Sequence, residues 1–368
     1  MVAHSSVIDE LEEAIASKEI GRRADALRRL TDLFVSDCGG LSQDQVALFD
    51  HVMGLLASEI EVSARARFGD RLAALANPPP RIMRTLALDD AIEVAGPVLA
   101  RSAALDEATL VEGARTKSQD HLLAISRRQT LAEAVTDVLV ERGDERVAHS
   151  TAENPGAKFS DFGYSTLVER SGRDPELALR VLSRLDLPRQ HLLKAFADAS
   201  EAVRCKLEAA DRGRANMLRD TVARASNEIQ TETRERSAEH AAARAFVQAL
   251  DRSGKLTAAQ LEAFAAEGNF DGAAIALSIM SSLSIGLVER LLTRDRSEQV
   301  LVVAKAIGLP WQTVRALLLM QAGNGGGSTH EIDQSLAKFN KLQTETAKTA
   351  VSYYRLRERA AMPLPALN

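Results

Sequence analysis

Cysteine is almost absent from this chain of 368 residues: Cys38 and Cys205 are the only two. A disulfide framework is therefore not expected, and this usage suits a reducing compartment. Aromatic residues make up 4% of the sequence, and Trp311 is the single tryptophan. Period-2 alternation and β-branched enrichment are also missing, so no strands are expected. No apolar run approaches the roughly 18–20 residues of a membrane-spanning helix. The opening stretch, MVAHSSVIDELEEAIASKEI, carries acids where a signal peptide needs basic residues and then an apolar run. A cytoplasmic protein without membrane insertion is the expectation. The formal net charge is −5, with acids and bases interleaved. The strongly basic footprint of a nucleic-acid binder is absent, so nucleic acid is not the expected partner.

Chemical motifs are equally scarce. No HExxH, CxxC or GxSxG occurs. The seven histidines (His4, His51, His121, His149, His191, His240 and His330) include no pair at the spacing of a helical metal site. The glycines from Gly323 to Gly327 lack the Lys-Ser/Thr that completes a phosphate loop, and read as a linker. Asn154-Pro155 reads as a helix N-cap with proline at the first helical position. No catalytic residue, cofactor or metal ligand is assigned, and a non-enzyme is expected.

What is present forms helices. Apolar residues reach 45% and charged residues 26%, and the abundant Ala, Leu, Arg and Glu lose little side-chain freedom in a helix. Residues 1–76 read as an N-terminal segment of four helices. The first is VIDELEEAIA; in the second, Ala26, Leu27, Leu30, Leu33 and Phe34 recur at helical spacing. Ser42 caps the third, and the fourth runs from Val62 to Leu75. Asn77 to Pro80 is the strongest stop in the chain. Residues 81–196 follow as short helices in series, with a kink expected at Pro97. Residues 197–250 contain one glycine and no proline. They read as a long helical connector, one helix or two joined near Gly213, and a homodimer through it is a further expectation. Short helices return at 251–321, and one C-terminal helix is expected at 328–361.

The two series of short helices share an order. LDEATL matches LTAAQL, pairing Leu105 with Leu256 and Leu110 with Leu261. Leu131, Val135, Leu139 and Val140 then fall on Leu283, Leu287, Leu291 and Leu292. Last, DLPRQ falls on GLPWQ. The first series holds roughly thirty extra residues, about one helical hairpin, the unit by which helical repeats grow. Leu-Pro-x-Gln reads as a recurring helix start, because proline's missing N–H is unneeded there. Trp311 in one copy stands where Arg189 stands in the other. A position that accepts arginine is expected to face solvent, which makes Trp311 and Arg189 candidate protein-binding residues. A competing reading packs Trp311 on the C-terminal helix, at Tyr353 or Tyr354. Arg127 and Arg128 are further candidates, although such a pair also reads as a solvated face.

The segments DDAIEVAGPVLARSAALDEATL, HLLAISRRQTLAEAVTDVLVERGDERV and RLDLPRQHL carry a resemblance. They are similar to a bacterial HEAT-like family of unknown function, best represented in alphaproteobacteria. The signals are Val94-Ala95 with Pro97-Val98-Leu99 and Ser102, Ile125-Ser126-Arg127, Asn154 with Ala157, and Leu187-Pro188. The likeness spans about residues 80 to 320 and leaves out the THEIDQ tail. It implies a helical-repeat fold and no reaction. The expected fold is all-α, a HEAT/armadillo-like solenoid with long connecting helices and a C-terminal helix. The expected function is a protein–protein interaction scaffold or regulatory adaptor. A HEAT-like nucleic-acid-binding or base-processing protein is the alternative.

Overall fold

The structure is a computed structural model that describes residues 19–37, 41–58, 60–210, 215–293, 297–322 and 329–361. The expected helix at 7–16, Cys38, and the linker at 323–327 lie outside the described residues. Among the described residues there are 21 helices and no strand. Two stretches of extended backbone meet only in an isolated parallel bridge, Leu131 with Ala157. No described helix is long and apolar enough to cross a membrane. The chain divides into two compact units, Met1–Leu167 and Val168–Asn368. The division falls inside the block read at 81–196, while the stretches read at 197–250 and 251–321 lie together in the second unit.

The first unit is built from α1 (Ile20–Asp37), α2 (Gln43–Ala57), α3 (Val62–Ala73), α4 (Pro80–Ala87), α5 (Ile92–Arg101), α6 (Glu107–Thr116), α7 (Gln119–Ser126), α8 (Glu133–Arg142) and α9 (Glu145–Glu153). α10 (Asp161–Ser171) straddles the division. Helices two apart lie side by side: α1, α3, α5, α7 and α9 form one row, and α2, α4, α6 and α8 the other. Most consecutive helices pack across the rows. Apolar residues at helical spacing supply the shared core, such as Ile82, Met83 and Leu86 in α4 and Val94, Val98 and Leu99 in α5, all essentially buried. Gly69 lets α3 approach α5 closely, since a Cβ there would sit 3.3 Å from the Val94 carbonyl oxygen.

Helix ends in this unit are satisfied in two ways. Some carry their own caps: Ser42 and Gln45 form a full capping box on α2, and Asp106 and Asp144 cap α6 and α9. Others borrow. α4 begins after Pro79, which has no side-chain cap. The buried Asp50 of α2 instead accepts the N–H groups of Arg81 and Ile82 at 2.8 and 2.7 Å. The end of α7 is held by Asn154, whose amide donates to the carbonyls of Ser126 and Arg128 at 2.8 and 2.7 Å. Asn154 is therefore not the expected N-cap. It follows α9 as its C-cap, and no helix starts at Pro155, because the chain must run back beside Leu131 to make the bridge. Gly156 donates its N–H to Asn154 there and passes so close to Gln129 that a Cβ would lie 1.8 Å from the carbonyl oxygen.

The second unit contains α11 (Pro175–Leu182), α12 (Arg189–Ala210), α13 (Ala215–Arg236), α14 (Ala238–Arg252), α15 (Ala258–Ala266), α16 (Phe270–Ser281), α17 (Ile285–Thr293), α18 (Ser297–Ala306), α19 (Trp311–Ala322), α20 (Thr329–Lys341) and α21 (Thr344–Ala361). The long segment holds two helices, α12 and α13, which pack on each other, and the junction expected near Gly213 lies outside the described residues. α16 is the centre. It is buried on every side through Phe270, Ala273, Ala274, Ile275, Ala276 and Leu277, and packs against α14, α15 and α17. Both Leu-Pro-x-Gln motifs start helices, α12 and α19. The carbonyls of Pro188 and Pro310 accept the first helical hydrogen bonds, from Leu192 and Val314.

The C-terminal region is two helices rather than the expected one. A continuous helix over this stretch would be about 50 Å long at 1.5 Å per residue. A break at Leu342-Gln343 instead lets α20 and α21 both dock on α18.

Candidate functional site

Two places gather the residues of interest, one in each unit. In the first unit an open groove of about 450 Å³ runs between α5 and α7. Its floor is made of small side chains, Gly96 and Ala100 from α5 and Ala124 from α7. Ile92, Pro97 and Leu123 add apolar walls, and Arg101, Asp120 and Arg127 stand at the rim. Pro97 lies inside α5 and has no N–H to give the Glu93 carbonyl four residues back.

The row that carries the groove is laced by ion pairs between neighbouring helices. Arg71 reaches Asp32 at 2.5 Å between α3 and α1, Arg101 pairs with Asp70 between α5 and α3, and Arg146 reaches Asp120 at 3.3 Å between α9 and α7. The α5–α7 junction has no such pair among the described residues. Arg128 ties it instead, donating to the carbonyls of Leu99 and Ser102 at 2.5 and 2.8 Å. Burial pulls the Arg128 guanidinium below the usual arginine range. Arg128 thus holds the end of α5 and is not offered to a surface partner. Its neighbour Arg127 is exposed at the groove, with no side-chain partner among the described residues.

In the second unit charges are gathered out of water. Arg189, the first residue of α12, is 8% exposed. One of its terminal nitrogens donates to Asp271 of α16 and the other to Glu289 of α17. Its guanidinium lies 6.0 Å from the Phe270 ring centroid. His240 of α14 places Nδ1 3.0 Å from Asp271 Oδ1, and Arg234, near the end of α13, lies 3.8 Å from Glu289 Oε2. Glu289 is fully buried, and its Oε2 has no hydrogen-bond partner. Two guanidinium groups therefore face two carboxylates.

His240, Asp271 and Glu289 could each offer a ligand atom to a metal, the three atoms lying within 4.8 Å of one another. A cation there would have to displace the guanidinium that already neutralises both carboxylates, so the donor set is that of an ionic lock. The lock ties the bases of the α12–α13 pair to the body of the unit.

These placements correct the surface reading of Arg189. Arginine at a repeat position signals solvent only when no buried acid awaits it, and here two do. Trp311, at the matching position, is partly buried, and its ring packs on Phe339 of α20 with centroids 5.7 Å apart. Phe339 lies within the stretch read as the C-terminal helix; of the two tyrosines expected there, Tyr353 is exposed, and Tyr354 packs against the same core as Trp311. In both copies the first-turn side chain turns inward onto a phenylalanine, Phe270 or Phe339.

The partners of Arg189 were not read from sequence, because Asp271 and Glu289 lie 82 and 100 residues away. One signal was available. Glu289 lies in GLVERLL, on the face of α17 that buries Val288 and Leu292, where an acid needs a partner. His121, read as structural, is buried and bonds at 2.7 Å to Ser118 and 2.9 Å to the Asp89 carbonyl.

Comparison with known proteins adds one match. A family model described as an uncharacterised protein conserved in bacteria (DUF2336) matches residues 94–352. No curated protein and no solved structure matches. The match includes the ionic lock and most of the groove. It also runs through α20 and into α21, so the family region extends past the THEIDQ tail that the likeness in sequence leaves out. The chain belongs to this family of uncharacterised bacterial proteins.

Proposed function

We propose that the protein is a non-catalytic scaffold or adaptor that binds another protein through a HEAT-like stack of helices in its first unit. The observation that carries this reading is the groove between α5 and α7, an open apolar surface at the one junction of its row that, among the described residues, has no lacing ion pair. Two rows of short antiparallel helices, each packed on the next but one, are the arrangement from which α-solenoids are built. Such stacks present long surfaces, and an exposed apolar patch rimmed by polar groups marks an interaction site. The nucleic-acid alternative gains less support. The rim holds one free guanidinium over an apolar floor, and the chain is net acidic.

The test is site-specific photo-crosslinking in a bacterium that carries the protein natively. A crosslinking side chain replaces Leu123 in the groove, or Glu107 on the other row as control. A discrete protein captured from 123 and not from 107, which then binds the purified full chain directly, is the expected result. The same set of adducts from both positions, or none from 123, would remove the scaffold reading.

A further inference from the structure

The charge pattern of the groove defines what it binds. Its floor is apolar and shallow, because Gly96, Ala100 and Ala124 leave room for a side chain from outside. A Cβ on Gly96 would meet nothing within 4 Å except the Ile92 side chain. Of the three charged rim residues, Arg101 is committed to Asp70 and Asp120 to Arg146. Arg127 alone is uncommitted among the described residues. At the neighbouring junctions of the same row an arginine meets a carboxylate from the adjoining helix. At this junction the arginine is present, and no carboxylate meets it among the described residues.

We propose that the α5–α7 groove is a docking site for a partner protein segment that inserts an apolar side chain onto the Gly96-Ala100-Ala124 floor and sets a carboxylate on Arg127. This deepens the scaffold reading and rests on it. The partner is an acidic-apolar peptide segment, in which an aspartate or glutamate stands about one helical turn from a leucine-like residue. The carboxylate completes the row of ion pairs, and the apolar side chain covers the floor. Arg127 supplies a charge-assisted, bidentate contact that a lysine would not reproduce. A polyanion is disfavoured, because one guanidinium beside an aspartate offers no track for successive phosphates.

The experiment uses the full chain, immobilised, and a random 12-residue phage-displayed peptide library as probe. Selection is run on wild type, Arg127→Glu and Gly96→Leu. Gly96→Leu fills the floor, and replacing a mid-helix glycine favours the helix rather than weakening it. Circular dichroism checks that both variants keep wild-type helix content. The expected wild-type consensus is an apolar residue with Asp or Glu three or four positions away. Synthetic peptides of that consensus should bind at least tenfold more weakly to either variant, and exchanging the acid for lysine should restore binding to Arg127→Glu.

Enrichment of basic peptides, binding unchanged in both variants, or failure to enrich any peptide would overturn the proposal. So would Arg127-dependent binding of a single-stranded oligonucleotide in place of peptides. Peptides that bind elsewhere on the chain would sink the groove assignment while leaving the scaffold reading to the crosslinking result.

Discussion

Replacing Arg189 with leucine tests the ionic lock most directly. Leucine keeps apolar volume beside Phe270 but removes the one group that, among the described residues, contacts both Asp271 and Glu289. Glu289 is fully buried, and its remaining cation, Arg234, is 3.8 Å away. Asp271 is left with His240 alone. Breaking a buried pair from one side costs about 3–5 kcal/mol, mostly the penalty of an uncompensated charge out of water. That is a large share of the roughly 5–15 kcal/mol by which a domain is stable. With a urea slope of about 2 kcal/mol per molar, the unfolding midpoint should fall by about 2 M. Trp311 is the single tryptophan and lies in the same unit, on Phe339, so its emission reports this unit's unfolding. A variant too unstable to purify still leaves a comparison. Arg189→Met combined with Asp271→Leu and Glu289→Leu removes three of the four charges, leaving Arg234, the least buried of them, and should be more stable than Arg189→Leu alone, although it deletes more contacts. A midpoint for Arg189→Leu within about 0.5 M of wild type, or a triple variant weaker than the single, would refute the lock.

Trp311→Ala and Phe339→Ala should each lower the second unit's stability, and a double-mutant cycle should return a coupling of about 0.5–1.5 kcal/mol for the ring pair; zero coupling would mean the rings merely lie near one another. Gly156→Ala should destabilise the first unit by about 2 kcal/mol or more, because its Cβ would meet the Gln129 carbonyl; loss of circular dichroism signal at lower urea, with the Trp311 transition unmoved, is the expected signature. Asp106 caps α6, and hydrogen bonds from the Thr109 side chain and then its backbone N–H hold its carboxyl below the ordinary aspartate range. A depressed native value means the cap's contribution is complete above the unfolded value of about 3.9 and is lost as pH falls through the native one. Asp106→Ala should therefore cost about 1 kcal/mol at neutral pH, and the gap from wild type should close at strongly acid pH in denaturation curves followed at 222 nm.

The helical class was readable because its determinants are local. Helical spacing, the Ser42 cap and the prolines before α4, α12 and α19 all act within a few residues of one another. The family likeness was readable too, because Val94, Pro97 and Arg127 stand in a run of matching segments. Local signals misled where the answer depended on a neighbour distant in sequence. Asn154-Pro155 has the composition of an N-cap, yet the backbone of α7 claims the Asn154 amide. The stretch 328–361 has the periodicity of one helix, yet two helices are needed to cover α18.

Arg127 and Arg128 are adjacent and chemically identical in the sequence. Packing sends one to the groove and the other to the carbonyls that end α5. Arg189 and Trp311 occupy equivalent positions, and only the second unit's packing shows that each is drawn inward, one to buried acids and one to a ring. The sequence by itself determined that the chain is helical and where most of its helices begin. Only the tertiary structure decided which charges meet, because Arg189, His240, Asp271 and Glu289 come together by helix packing across long chain separations, with no local pattern to announce it.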